Sequence, residues 1–159
     1  MKITNFPLPT NPNLGGIKAF SFIEIGLVSS FPIPVSFQLT NYPTLIQGAS
    51  FKTGLAAPFS YRFDLKPNKE DNPAYYFFNL SGFYPEISRN ILSLFEEMEQ
   101  EEFLLIATDN NNLNRIVGTE LTPLFFKYTE IHGLNLPNKQ GLEFTFHGTL
   151  LKPPPFFKA

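Results

Sequence analysis

Along most of the chain, apolar and polar positions alternate with a period of two. Residues 59–66 show it best: Phe59, Tyr61, Phe63 and Leu65 share one face, and Ser60, Arg62, Asp64 and Lys66 the other. That pattern predicts a strand buried on one side. Val35, Phe37 and Leu39 alternate with Ser36, Gln38 and Thr40 in the same way, as do Leu142, Phe144 and Phe146 with Glu143, Thr145 and His147. Residues 74–83, 103–108, 113–118 and 124–131 add further predicted strands, and 45–52 a weaker one. Within 17–28, Ile17, Ala19, Ile23 and Ile25 fall on one parity and Phe20 and Phe22 on the other. Apolar residues on both faces predict a strand covered, at least in part, on both sides.

One segment changes period. Pro85 suits a first helical position and Glu86 the positive end of a helix dipole. Ile87, Ile91, Leu94, Phe95 and Met98 then recur at three- and four-residue spacing, the stripe of an amphipathic helix. Continuing it would swing Glu101 and Glu102 onto the apolar face, so the helix is expected over 85–100. Phe31-Pro32-Ile33-Pro34 breaks the preceding strand and 54–58 reads as a loop. The polar residues 67–73 join two strands into a hairpin. Asp109-Asn110-Asn111-Asn112 reads as a tight turn, because Asp and Asn tolerate left-handed backbone.

About eight strands and one helix predict a mainly β (α+β) domain, an antiparallel β-sandwich or small barrel with one flanking helix. There is no internal repeat and no second boundary. Residues 1–159 therefore read as a single domain with extended Pro-rich arms at 1–16 and 151–159, the second closing on Pro153-Pro154-Pro155-Phe156-Phe157.

Composition sharpens this in three ways. The 19 Phe, 6 Tyr and 15 Pro, with no Trp, predict an aromatic core beneath many turns, or aromatics that in part pack against neighbouring subunits. The absence of cysteine removes disulfides and thiolate chemistry. A net charge of −2 lacks the basic surplus that grips phosphates, so no specific nucleic-acid partner is expected. No window reaches the roughly 20 apolar residues of a membrane span, and the start lacks a signal-peptide core. The expectation is a protein released into the cytoplasm with no membrane partner.

The search for chemistry predicts no catalytic residue, no cofactor and no metal. His132 and His147 lack metal-ligand spacing, and no nucleophile elbow, phosphate loop or H-E-x-x-H pattern occurs. Asp109 and the asparagines after it lack the alternating acids, central Gly and distal Glu of a calcium loop. The run Glu96, Glu97, Glu99, Glu101, Glu102 offers paired carboxylates, but glycoside hydrolysis needs them converging in a cleft. At a helix C-terminus they read instead as a solvated face, or as a surface docking on a basic partner. Phe6, Phe156 and Phe157 sit on segments that cannot supply their own core, so they either fold back onto the domain or reach into a neighbour. The candidate subunit-interface residues are therefore Phe6, Glu96, Glu97, Glu99, Phe156 and Phe157.

Several stretches in order carry a family likeness. They are Asn13-Leu14-Gly15-Gly16-Ile17, the helix-to-hairpin stretch 91–119 with F-L-L-I-A-T-D-N-N-N and R-I-V-G-T, Pro123-Leu124-Phe125-Phe126, Phe144-Thr145-Phe146-His147-Gly148, and Pro154-Pro155-Phe156. In these the chain resembles small virion structural proteins encoded among the tail and neck genes of phages and prophages of Bacteroidota. Similar proteins often carry Gly in the hairpin turn where Asn112 stands. The resemblance implies a non-enzymatic subunit made in the bacterial host cytoplasm and carried in the virion. It would assemble with copies of itself and neighbouring virion proteins into a ring (tail tube, tail-completion or adaptor). The alternative is a carbohydrate- or receptor-binding β-sandwich module of a phage baseplate or surface device, which the lack of Trp disfavours.

Overall fold

The computed structural model describes residues 16–57, 60–68, 70, 75–133 and 140–157. In chain order the elements are β1 (Ile17–Glu24), a 3-10 turn (Ile25–Leu27), β2 (Val28–Ser30), β3 (Gln38–Leu39), β4 (Thr44–Leu45), β5 (Lys52–Gly54) and β6 (Arg62–Asn68). There follow β7 (Tyr75–Tyr84), α1 (Arg89–Met98), β8 (Glu102–Asp109), β9 (Asn114–Val117), β10 (Leu124–Ile131), β11 (Gly141–Leu150) and β12 (Phe156–Phe157). The fold is mainly β with one helix, sandwich-like, as the alternation predicts. It has more strands than the eight expected because β2, β3, β4, β5 and β12 are only two or three residues long, too short to leave a periodic signature.

Ten strands share one open sheet folded into two layers. The first runs β5-β1-β8-β9-β12-β3 and the second β10-β11-β7-β6. They join at a corner where Leu124 and Phe125 of β10 pair with Phe103 and Glu102 of β8. Every pairing in this sheet is antiparallel except β12 with β3. A separate ribbon pairs β2 with β4.

Between the layers lies the aromatic core. Phe20, Phe22, Phe103, Leu105 and Val117 of the first layer meet Phe78, Leu80, Leu124, Phe126, Phe144 and Phe146 of the second. Their rings interlock edge to face, Phe22 on Phe103 at 5.6 Å and 83° and Phe103 on Phe146 at 5.6 Å and 89°. This geometry adds about 1 kcal/mol per pair beyond burial. The outer face of the first layer carries a second cluster, Ile23, Leu104, Ile106 and Ile116, covered by the excursion that includes Leu27, Phe31, Leu45 and Phe51. β1 is thus covered on both faces, as its two-parity pattern predicts. The outer face of the second layer is mostly polar, with Phe77 and Phe125 partly exposed on it.

Four local expectations are corrected. The helix starts at Arg89 rather than Pro85, because Ser88 takes the N-cap and its Oγ accepts the Ile91 N–H. It ends at Met98 with a turn over Glu99 and Gln100, close to the expected stop. Residues 35–40 do not form the half-buried strand that their alternation suggests. Ser36 and Phe37 take positive φ of 50° and 62°, and Val35 and Gln38 close a two-residue turn by reciprocal backbone bonds of 2.9 and 3.0 Å. Only Gln38–Leu39 is extended, and Leu39 alone of the three apolar residues is buried. The weak strand at 45–52 resolves into the separate pieces β4 and β5. The expected C-terminal arm is no arm over 151–157, since β12 is clamped between β9 and β3. The hairpin of β6 and β7 and the turn at 109–112 stand as expected.

Candidate functional site

The six residues singled out from sequence do not converge. Phe6 lies outside the described residues. Phe156 and Phe157 fold back onto their own domain. The Phe156 ring packs under the Arg115 guanidinium at 4.5 Å, and Phe157 stacks on Tyr42 at 3.9 Å. Arg115 closes the seam between the layers. Its guanidinium also lies over Phe63 at 5.6 Å, and one nitrogen donates to the Pro154 carbonyl at 2.9 Å. Its Nε is buried without a partner, and burial pulls its pKa below the usual guanidinium value.

Glu96, Glu97 and Glu99 are exposed along the end of α1, followed by exposed Glu101 and Glu102. None of the five forms an ion pair among the described residues. Their field reaches β10, where Tyr128 has its pKa raised by burial and then by Glu96, Glu99 and Glu130. The carboxylates project into water rather than into a cleft, as the helix-end reading expects.

The histidines stay apart from one another. His132 is exposed and pairs with Glu130 at 3.5 Å. His147 is half-buried on the outer face of the second layer, tilted against Phe125 at 6.0 Å, with its pKa lowered by burial and by Lys127. Asp109 spends its carboxylate on the hairpin turn, Oδ1 accepting the N–H groups of Asn111 and Leu113 at 2.8 and 2.9 Å. Asn112 supplies the left-handed position of that turn with φ of 62°. Among the described residues no three His, Asp or Glu side chains gather in a way that would hold a metal ion, and no helix is long and apolar enough to cross a membrane.

What the sequence reading missed is a set of large apolar side chains left in water. Ile33 is 88% exposed, Val35 75%, Phe37 59%, Leu121 87% and Leu151 59%. Ile33, Leu121 and Leu151 border one groove of about 290 Å³ whose floor includes Leu39, Leu104 and Ile116. The available signal was the proline spacing. Pro32 and Pro34 deny backbone donors on either side of Ile33, so those residues cannot join a sheet interior. Leu121 and Leu151 sit in short links beside Pro123 and Pro153, where the chain likewise leaves the ladder.

A second concavity, of about 200 Å³, opens between β5 and α1. It is walled by Phe95, Phe126 and Phe144 and bordered by Leu55 and Leu94. Leu94 lies on the apolar stripe of the helix as expected, yet is 47% exposed because it faces this cleft. A third, shallow groove crosses the outer face of the second layer past Phe77, Asn79, Phe125 and His147.

No protein-family model matches this chain, nor does any curated protein or solved structure.

Proposed function

We propose that the chain is a non-enzymatic structural subunit of a bacteriophage tail or neck, acting by assembly into a ring with copies of itself and neighbouring virion proteins. The observation that carries this reading is the exposed apolar rim of Ile33, Leu121 and Leu151 around one groove, with Val35 and Phe37 also in water on the turn that follows Ile33. Large contiguous apolar surface in water is the mark of a protein interface. The resemblance to small virion proteins supplies the setting, and the unpaired acidic end of α1 offers a second, charged contact. A slightly acidic subunit also suits a ring that passes DNA without holding it.

Light scattering of the purified protein over a concentration series, followed by electron microscopy of any large species, tests the reading. A closed ring or tube is expected. A strict monomer at high concentration, with no copy found in purified particles, overturns it.

The groove past Phe77, Asn79, Phe125 and His147 favours one other reading, a carbohydrate- or receptor-binding module of a phage surface device. Phe77 and Phe125 are 48% and 44% exposed and would stack on sugar rings, while the amide and imidazole bond hydroxyls. A glycan array on which the chain finds no ligand counts against it.

A further inference from the structure

The apolar tip and the cleft beneath the helix are complementary features on opposite edges of one layer. β3, which follows the tip, is the last strand at one edge, and β5, which lines the cleft, is the last at the other. Five inter-strand steps of about 4.8 Å separate them by roughly 24 Å. No single copy brings its own tip to its own cleft, whereas a neighbour placed head to tail does.

We propose that the hairpin tip of a second copy docks into the cleft between β5 and α1, with Phe37 as the anchor. The proposal rests on the reading of the chain as a self-assembling subunit and names the contact that would build the ring.

Three observations carry it. The first is strain that leaves the Phe37 ring in water, although the Phe37 carbonyl accepts the Phe156 N–H at 2.7 Å. A two-residue turn with positive φ at both central positions favours Asn-Gly, yet Ser36 and Phe37 occupy it. A bulky residue in left-handed backbone is an outlier, and here the turn holds an aromatic ring 59% in water. Such strain persists where function needs the geometry. The second is fit. The cleft holds about 200 Å³, and an apolar cavity of roughly 150 Å³ already accepts a benzene ring. Its mouth has exposed apolar lips, Leu55 at 68% and Leu94 at 47%, which a seated tip would cover.

The third is charge. Lys152 is exposed next to Leu151 on the rim of the tip groove. Glu97 and Glu101 are exposed three residues beyond Leu94 and Met98, two residues that line the cleft. None of these three has an ion-pair partner among the described residues. Seating the tip brings the cation of one copy towards the acids of the next, and such complementarity sets direction and register. A contact between two different patches is heterologous, and it closes into a ring when the rotation per subunit allows.

The test measures self-association by sedimentation velocity over a concentration series. It uses the full chain, Phe37→Asn, Leu94→Glu and a 1:1 mixture of the two variants. Asn is at ease in left-handed backbone, so Phe37→Asn should melt no lower than the parent. Each variant alone should self-associate at least about 30-fold more weakly, the loss expected for an anchoring aromatic contact. The mixture should stop at a heterodimer, because one variant retains only the cleft and the other only the tip. Phe37→Asn assembling like the parent would overturn the inference and leave the assembly reading intact. A mixture that rebuilds large particles, or that stays monomeric, would overturn it as well. If the parent is monomeric throughout, this inference falls, and the assembly reading falls with it when no copy is found in purified particles. Binding of indole in the cleft, abolished by Leu94→Glu, would then make the cleft a small-molecule site.

Discussion

β8 and the segment 31–37 are both runs of large apolar residues, and they end in opposite environments. Phe103, Leu104, Leu105, Ile106 and Ala107 are at most 8% exposed, whereas Ile33, Val35 and Phe37 are at least 59% exposed. The difference is backbone bonding, not side-chain character. β8 pairs with β1 on one edge and with β9 and β10 on the other. Its alternate side chains are therefore delivered to the aromatic core and to the outer cluster. In 31–37 the prolines withhold donors, and the bonds that remain are those of a tight turn and one from the Phe156 N–H to the Phe37 carbonyl. Apolar residues are buried where a ladder can carry them between two surfaces, and left out where it cannot.

Substitutions on the two sides should differ several-fold. Phe103→Ala removes a ring that is 1% exposed and touches Phe22 and Phe146. It should cost about 3–5 kcal/mol in chemical denaturation. Ile33→Ser should change stability by no more than about 0.5 kcal/mol, and a cost above 2 would mean that the tip is packed and the contrast false. Gly118, at the exit of β9, has φ of 102°, and an added Cβ would stand 2.8 Å from the Phe103 carbonyl oxygen. Gly118→Ala should therefore cost about 2 kcal/mol through strain and that clash, read from the same denaturation curves. Phe37→Asn goes the other way. Relief of left-handed strain should raise monomer stability by about 1 kcal/mol. A drop instead would show that the ring contributes to its own fold.

The same contrast explains what was legible in the sequence. Long strands of period two, such as Arg62–Asn68 and Gly141–Leu150, announce themselves because each residue repeats a vote for the same face. The two-sided burial of β1 was legible from Phe20 and Ile23 standing on opposite parities. The helix was legible from its stripe, but its start was not, since Pro85 and Ser88 are both plausible first-turn residues and only the Ser88 hydroxyl forms the cap. Val35, Phe37 and Leu39 misled because three alternating residues cannot tell a strand from a turn that reverses between them. The site was the least legible part. Phe156 and Phe157 read equally as residues folded back on the domain or as anchors for a neighbour, because the partners that decide it, Arg115 and Tyr42, lie about 40 and 115 residues back in the chain, where no local pattern reaches.

The outer face of the second layer offers the smallest and most specific test, because it is mostly polar where the tip is apolar. His147 is half-buried there, and its pKa lies below the free value of 6.5, first through burial and then through the charge of Lys127. A depressed histidine penalises the protonated native state. Between the folded pKa and 6.5 the unfolded chain binds more protons than the native one, so stability rises with pH across that window. This contribution is complete above 6.5. It is lost as pH falls from 6.5 to the folded pKa, and it levels off once both states are protonated. Glu24 does not interfere. Burial is the largest influence and opposes its ionisation, but the hydrogen bond and charge of Lys52 and a backbone hydrogen bond together hold its pKa below 4.5, so its loss comes at more acid pH. Urea midpoints should therefore decline slightly from pH 7.5 to 5.5 in the parent and stay flatter in His147→Gln. Lys127→Ala should fall between them, since it removes the repulsion and leaves the burial. Parallel profiles for all three would mean that the imidazole is freely hydrated, and that the outer face is as open to water as the tip.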